Sequence, residues 1–216
     1  MVLVFYTRIQ EQMPQWLYDK YLTLLPLNLQ EKIVRLRQWK DKLLQLSGKI
    51  LLLEGLQKFG LSGNCLHDLQ YNEYNRPYIP GEIDFNISHS GNYVVCAMGK
   101  GIQLGIDIEQ IKNIRFEDFE NVMTHEQWQY IKNGHNQLQY FFKYWAIKES
   151  VIKADSRGLS IPLKNIIIEN NTALCDDKTW YLNELNIDND YCSFLAVNKV
   201  CSHTIVERTY QQLFMS

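Results

Sequence analysis

The chain has 216 residues, 46% hydrophobic and 12% aromatic, with 22 Lys and Arg against 24 Asp and Glu for a formal net charge of −2. This is too apolar for a disordered chain, too poor in Gly and Pro for a collagen-like one, and without the basic excess of a dedicated nucleic-acid binder. A chain of this length holds one or two domains and folds without disulfide or metal staples.

The opening residues 1–6 are apolar, but no basic segment precedes them and Thr7 and Arg8 cut them short, so they predict a first strand rather than a signal peptide or a membrane span. Pro14 opens a short helical pattern, and a longer one covers 29–59. There Leu36, Trp39, Leu43, Leu46, Ile50 and Leu53 recur at steps of three and four, the stripe of a core-facing helix. Gly48 interrupts it, and it is too short for a coiled coil. Lys32, Arg35, Lys40, Lys42 and Lys49 on the other face make either a solvated surface or a phosphate site.

After a loop region at 64–80 come strands predicted at 83–87, 93–98 and 102–109, the last two joined as a hairpin through Gly99-Lys100-Gly101. In the last strand Ile102, Leu104, Ile106 and Ile108 face a core, while Gln103, Gly105, Asp107 and Glu109 form a polar surface. A loop and helical region at 116–132 and a polar stretch at 133–137 lead to a helix predicted over 138–154, stopped by Arg157-Gly158. Three antiparallel strands at 166–169, 179–182 and 191–197 follow, with a weaker one near Ile205. The implied architecture is α+β in two halves that meet near 99–105. The five cysteines are scattered without zinc spacing, and no stretch approaches the roughly 18 apolar residues of a membrane helix. Free thiols in a soluble, cytoplasmic protein are expected.

Three constellations bear on chemistry. Asp107 and Glu109 lie two apart on a strand, so they point to one side with Cα atoms about 7 Å apart; they are either solvent-facing acids or ligands for a hard cation such as Mg²⁺. Glu149 and Lys153 are four apart on a helix, next to Trp145 and further aromatics. They are either an ordinary ion pair or a base beside a phosphate-binding cation. Ser88-His89-Ser90-Gly91, preceded by Asn75-Arg76-Pro77, is either a plain turn or a phosphate-binding one. Taken together, these residues are an inventory for metal-dependent transfer at a phosphate or diphosphate.

In this order and spacing the motifs resemble those of the 4′-phosphopantetheinyl transferases of the long Sfp type. Asn75-Arg76-Pro77, Phe85-Asn86-Ile87-Ser88-His89-Ser90, Gly105-Ile106-Asp107-Ile108-Glu109, the Phe142 to Lys153 segment and Arg157-Gly158-Leu159-Ser160-Ile161-Pro162-Leu163 match family motifs over about 74–163. The resemblance implies two similar α/β subdomains, 1–101 and 102–216, in a pseudo-twofold arrangement with the active site between them, in a monomer. It implies transfer of the 4′-phosphopantetheine group of coenzyme A to a serine of an apo acyl or peptidyl carrier protein, releasing adenosine 3′,5′-bisphosphate, with no nucleic-acid or membrane partner. Carried over by residue, Asp107, Glu109 and Glu149 would ligate Mg²⁺, with Mn²⁺ as an alternative. Glu149, Lys153 and Asp107 would be catalytic, with Glu149 as base, and Lys32, Arg35, Arg76, Ser88, His89 and Lys153 would bind coenzyme A. Leu44 stands where a further arginine is expected. A catalytically silent binding module would lack one of the four acid and lysine positions, and all are present.

Overall fold

The computed structural model describes residues 1–209 and 212. The end of the second predicted half, 210–211 and 213–216, lies outside the described residues. The first strand, β1 (Val2–Arg8), leads through Pro14 into α1 (Gln15–Leu22). The single long helix expected over 29–59 is two helices, α2 (Leu27–Val34) and α3 (Trp39–Lys58), parted by extended backbone at Gln38. No Pro or Gly marks this break. Tertiary packing decides it: Trp39 is 41% exposed and Leu36 only half-buried, so the stripe enters the core only from Leu43 onward.

After a small hairpin of β2 (Gln70–Tyr71) and β3 (Pro77–Tyr78) come β4 (Ile83–Ser90), β5 (Tyr93–Lys100) and β6 (Leu104–Gln110). Helices α4 (His125–Asn133) and α5 (Gln137–Asp155) precede β7 (Ile167–Glu169), β8 (Thr172–Cys175), β9 (Lys178–Glu184), β10 (Tyr191–Val197) and β11 (His203–Glu207). Strand β8 was not legible in the pattern; β9 and β10 match it.

The expected hairpin between β5 and β6 does not form. Strand β5 belongs to a four-stranded sheet ordered β11-β1-β5-β4, and β6 to a five-stranded sheet ordered β6-β10-β9-β8-β7. The glycines at 99–101 turn the chain from one sheet to the other, with Gly101 at φ 63° and its N–H bonded to Glu82. The hairpin in this region is β4–β5, turning at Gly91 with φ 57°. Strand β11 crosses back to pair in parallel with β1, so the chain's last strand completes the first sheet.

Two sheets pack face to face through Val2, Val4, Val95 and Ala97 of one and Leu104, Ile106, Ile108, Leu195 and Val197 of the other, with Ile102 joining them from the connection before β6. Helix α3 covers the outer face of the first sheet and α5 that of the second. The isoleucine alternation of β6 therefore faces a core, as expected. Its polar side is not a surface: α5 lies on it, and Asp107 is 2% exposed.

Strands β4 and β6 run side by side in one direction, joined by side chains rather than a backbone ladder. The N–H groups of Leu104, Ile106 and Gln110 donate to Asp84 (2.9 Å), Asn86 (2.9 Å) and Ser90 (3.1 Å), each partner twenty positions earlier. Short acceptors at every second position of β4 thus satisfy the free edge of β6 and hold the sheets in register. All five cysteines are free, four of them buried. Among the described residues no helix is long and apolar enough to cross a membrane.

Candidate active site

The polar side of β6, the end of β4 and the second half of α5 meet at one place. Gly105 makes this possible: a Cβ there would lie 2.2 Å from the Ser150 carbonyl oxygen and 2.3 Å from the Ala154 nitrogen, so α5 backbone rests directly on the strand. The close approach brings Lys153 Nζ to 2.6 Å from Asp107 Oδ1 and 3.0 Å from Ser88 Oγ, and Ser88 donates to the same Asp107 oxygen at 2.8 Å. The other oxygen, Asp107 Oδ2, is buried with no hydrogen-bond partner among the described residues. Burial raises the Asp107 carboxyl, and the Lys153 ammonium opposes that rise. For Lys153 burial works against the charge, but Asp107, Glu149 and Glu109 outweigh it and its pKa is raised.

Glu109 receives Trp145 Nε1 on Oε1 at 3.2 Å and Ser90 Oγ on Oε2 at 2.8 Å. Glu149, half-buried, has no hydrogen-bond partner among the described residues; burial, then the charges of Asp107 and Glu109 against the relief from Lys153, push its pKa up to about 7. His89 lies 3.1 Å from the Gln45 amide, and burial followed by the Lys153 charge lowers its pKa, which favours a neutral imidazole. Asp107, Glu109, Glu149, Lys153 and Ser88 are therefore brought together, while His89 faces Gln45 of α3, near enough for the Lys153 and Asp107 charges to act on it.

Three of the predicted phosphate-binding residues lie differently. Lys32 is exposed on α2, its Nζ 4.9 Å over the Tyr71 ring, and Arg35 is exposed and paired with Glu31 at 3.3 Å. Neither touches the carboxylates, and Leu44 is buried in the first core. Arg76 points inward, its side chain 10% exposed. One terminal nitrogen donates to both Asp84 oxygens (2.7 and 2.9 Å) and to the Leu104 carbonyl (2.9 Å), while the other meets the Ala154 carbonyl, Ser156 Oγ and the Lys153 carbonyl. The guanidinium thus ties β4, β6 and the end of α5 together beside a cavity of about 190 Å³ lined by Tyr74, Pro77, Asn86 and Lys153.

Lys148, one turn from the site within the same motif, is fully buried and donates to the Leu163 carbonyl at 2.7 Å; burial lowers its pKa to about 8. It pins the turn after α5 rather than facing the carboxylates. Sequence reasoning passed over Asp84 and gave Asn86 and Ser90 no part in holding β6, although short polar residues at every second strand position were a visible signal.

Among the described residues no group of three His, Cys, Asp or Glu side chains forms a ready cage for a metal ion. Mg²⁺ does not require one, since it takes one or two carboxylates and completes its shell with water and phosphate oxygens. The orphaned Asp107 Oδ2, flanked by Glu109 and Glu149, whose carboxyls are raised first by burial and then by the Asp107 charge, fits such an ion. A wider cavity of about 920 Å³ between the start of α5 and the β9–β10 loop shares no residue with this cluster.

Residues 103–196 match the family model of the 4′-phosphopantetheinyl transferase superfamily. The chain is 30% identical over 173 residues to the 4′-phosphopantetheinyl transferase gsp of Aneurinibacillus migulanus, covering 79% of this chain and 73% of that protein. It is 39% identical over 100 residues to the 4′-phosphopantetheinyl transferase Sfp of Bacillus subtilis (strain 168), 44% of each chain. A more distant relative is the L-aminoadipate-semialdehyde dehydrogenase-phosphopantetheinyl transferase of Xenopus laevis, 30% identical over 142 residues, 54% of this chain and 47% of that one.

Proposed function

This chain belongs to the 4′-phosphopantetheinyl transferase superfamily and transfers 4′-phosphopantetheine from coenzyme A to carrier proteins, and on that premise we propose how its residues divide the work. The acceptor is a serine of an apo acyl or peptidyl carrier. Its hydroxyl oxygen attacks the phosphorus that bears the pantetheine arm, the bond to the nucleotide phosphate breaks, and adenosine 3′,5′-bisphosphate leaves.

A serine hydroxyl is a poor nucleophile at neutral pH, so the step needs a base. Glu149 has the required features: no competing hydrogen bond among the described residues and partial access, so that it can take the proton directly or through a water. Lys153 neutralises the diphosphate and then the leaving phosphate. Asp107, Glu109 and Glu149 are the residues that would hold Mg²⁺, or Mn²⁺, which when bound screens the diphosphate and orients it for in-line attack. Ser88 and His89 hold phosphate oxygens, with Lys32 and Arg35 on the approach from α2. We place Arg76 one step back, binding coenzyme A through the 72–77 loop and the end of α5 that it anchors.

The carrying observation is the buried, unpartnered oxygen of Asp107 beside Lys153. A charged lysine and an open carboxylate lone pair at one point suit a substrate that is both anionic and metal-bound. We further propose two pseudo-twofold halves, 1–101 and 102–216, sharing this site within one monomer. Each half has a sheet with a long helix on its outer face, α3 or α5, and β11 straps the second half to the first. The test is intact-mass spectrometry of an apo carrier incubated with coenzyme A and Mg²⁺, where transfer adds about 340 Da.

The acid cluster also predicts a pH effect on the metal-free protein. A folded pKa of about 7 for Glu149, against 4.5 for the free side chain, means that between these values the folded state binds more protons than the unfolded state. Stability then falls as pH rises through that window, by up to about 3 kcal/mol. Urea unfolding with a chelator at pH 5 and pH 8 should show the loss. Glu149→Gln should reduce it, leaving the part that the raised carboxyls of Asp107 and Glu109 contribute, and an equal slope in the variant would show that Glu149 is not a source.

A further inference from the structure

We propose that Ser90 and Trp145 are positioning residues that fix the Glu109 carboxylate in the orientation in which it meets the metal, an inference that rests on reading Glu109 as a ligand. Of the three carboxylates only Glu109 is held at both oxygens, by donors from two different elements. Trp145 on α5 holds Oε1, and Ser90 at the end of β4 holds Oε2.

Neither donor is free to turn away. The Ser90 oxygen accepts the Gln110 N–H at 3.1 Å, which occupies a lone pair and directs the hydroxyl proton to Glu109. The Trp145 indole is a donor only, and its ring is clamped. Phe119 meets it edge-on at 5.4 Å and Phe141 stacks on it at 5.9 Å, with Trp128 stacked in turn on Phe141 at 5.9 Å. This aromatic column runs from α4 to the carboxylate.

Each Glu109 oxygen spends one lone pair on its donor and keeps another for a cation. Asp107 Oδ2 and Glu149 have no such restraint, so the clamp gives the site one ligand of fixed direction. Hydrogen-bond partners of metal ligands carry about 10–100-fold in metal affinity. The motif residues Ser90 and Trp145 thereby gain a role that neither phosphate binding nor core packing assigns to them.

The test measures Mn²⁺ binding directly, by electron paramagnetic resonance of the free ion, on the whole protein with coenzyme A present. Ser90→Ala, and Trp145→Phe, which keeps an aromatic ring in the stack while removing the N–H along with the pyrrole ring, should each weaken Mn²⁺ binding by about 10-fold or more. Ser90→Thr, which retains the hydroxyl, should restore it. The Mg²⁺ concentration for half-maximal transfer should rise in parallel, with turnover largely recovered at saturating Mg²⁺. Wild-type Mn²⁺ binding by both Ser90→Ala and Trp145→Phe, beside a Glu109→Gln variant that binds weakly, would overturn the positioning role. A Glu109→Gln variant that binds Mn²⁺ as tightly as wild type would instead overturn the reading of Glu109 as a ligand.

Discussion

Glu149→Gln is expected to lower turnover by about 10²–10⁴-fold, the usual contribution of a positioned general base, and to leave the fold intact. The substitution keeps size and shape and removes the negative charge, and with it both the ability to take a proton and one anionic ligand for the metal. Glu149 gives up no hydrogen bond among the described residues, so no partner is stranded. Its carboxylate form is the one that burial and the neighbouring acids disfavour. The variant should therefore unfold at an equal or higher urea concentration than wild type at pH 8 while transferring pantetheine far more slowly. Near-normal turnover at saturating Mg²⁺ would remove Glu149 from the chemistry.

Gly105→Ala should cripple the enzyme from a position that touches no substrate. Its new Cβ meets the Ser150 carbonyl and the Ala154 nitrogen, both backbone atoms that cannot swing aside. Helix α5 must lift from β6, an overpacking cost of about 1–3 kcal/mol or more. The same displacement carries Lys153 away from Asp107, where the two now sit 2.6 Å apart. A shift of about 1 Å in a reacting constellation can cost 10²-fold in rate. Activity should thus fall by about that factor in a protein whose melting temperature drops by several degrees. Wild-type activity in Gly105→Ala would mean that the contact between helix and strand does not set the site.

How much of this was readable in the sequence depended on whether the signal was local. The alternation of Ile102, Leu104, Ile106 and Ile108 correctly marked a core face, because period two is a property of the strand itself. The pairing of that strand was misread, since Gly99 to Gly101 look the same whether the chain makes a hairpin or passes to another sheet. The break between α2 and α3 has no residue that announces it; it follows from how the two helices pack. Asp107, Glu109, Glu149 and Lys153 were legible as a set through motif order, and the structure brings them together. The inward turn of Arg76 was not, because its acceptors are an aspartate eight residues on, carbonyls as far as 78 positions away and a hydroxyl 80 positions away. Charge sorting was equally hidden: a chain of net charge −2 gathers Asp107, Glu109 and Glu149 around Lys153.

Transfer is expected to depend on the buried Asp107 carboxylate, which touches Lys153 and which we propose a metal shares. The most direct measurement is the intact mass of an apo carrier incubated with coenzyme A, Mg²⁺ and either the wild-type enzyme or Asp107→Asn, with circular dichroism confirming that the variant is folded. Wild type should add about 340 Da to the carrier, and the folded variant should add nothing in the time that wild type needs for completion. A folded Asp107→Asn enzyme that modifies the carrier at the wild-type rate would contradict the account.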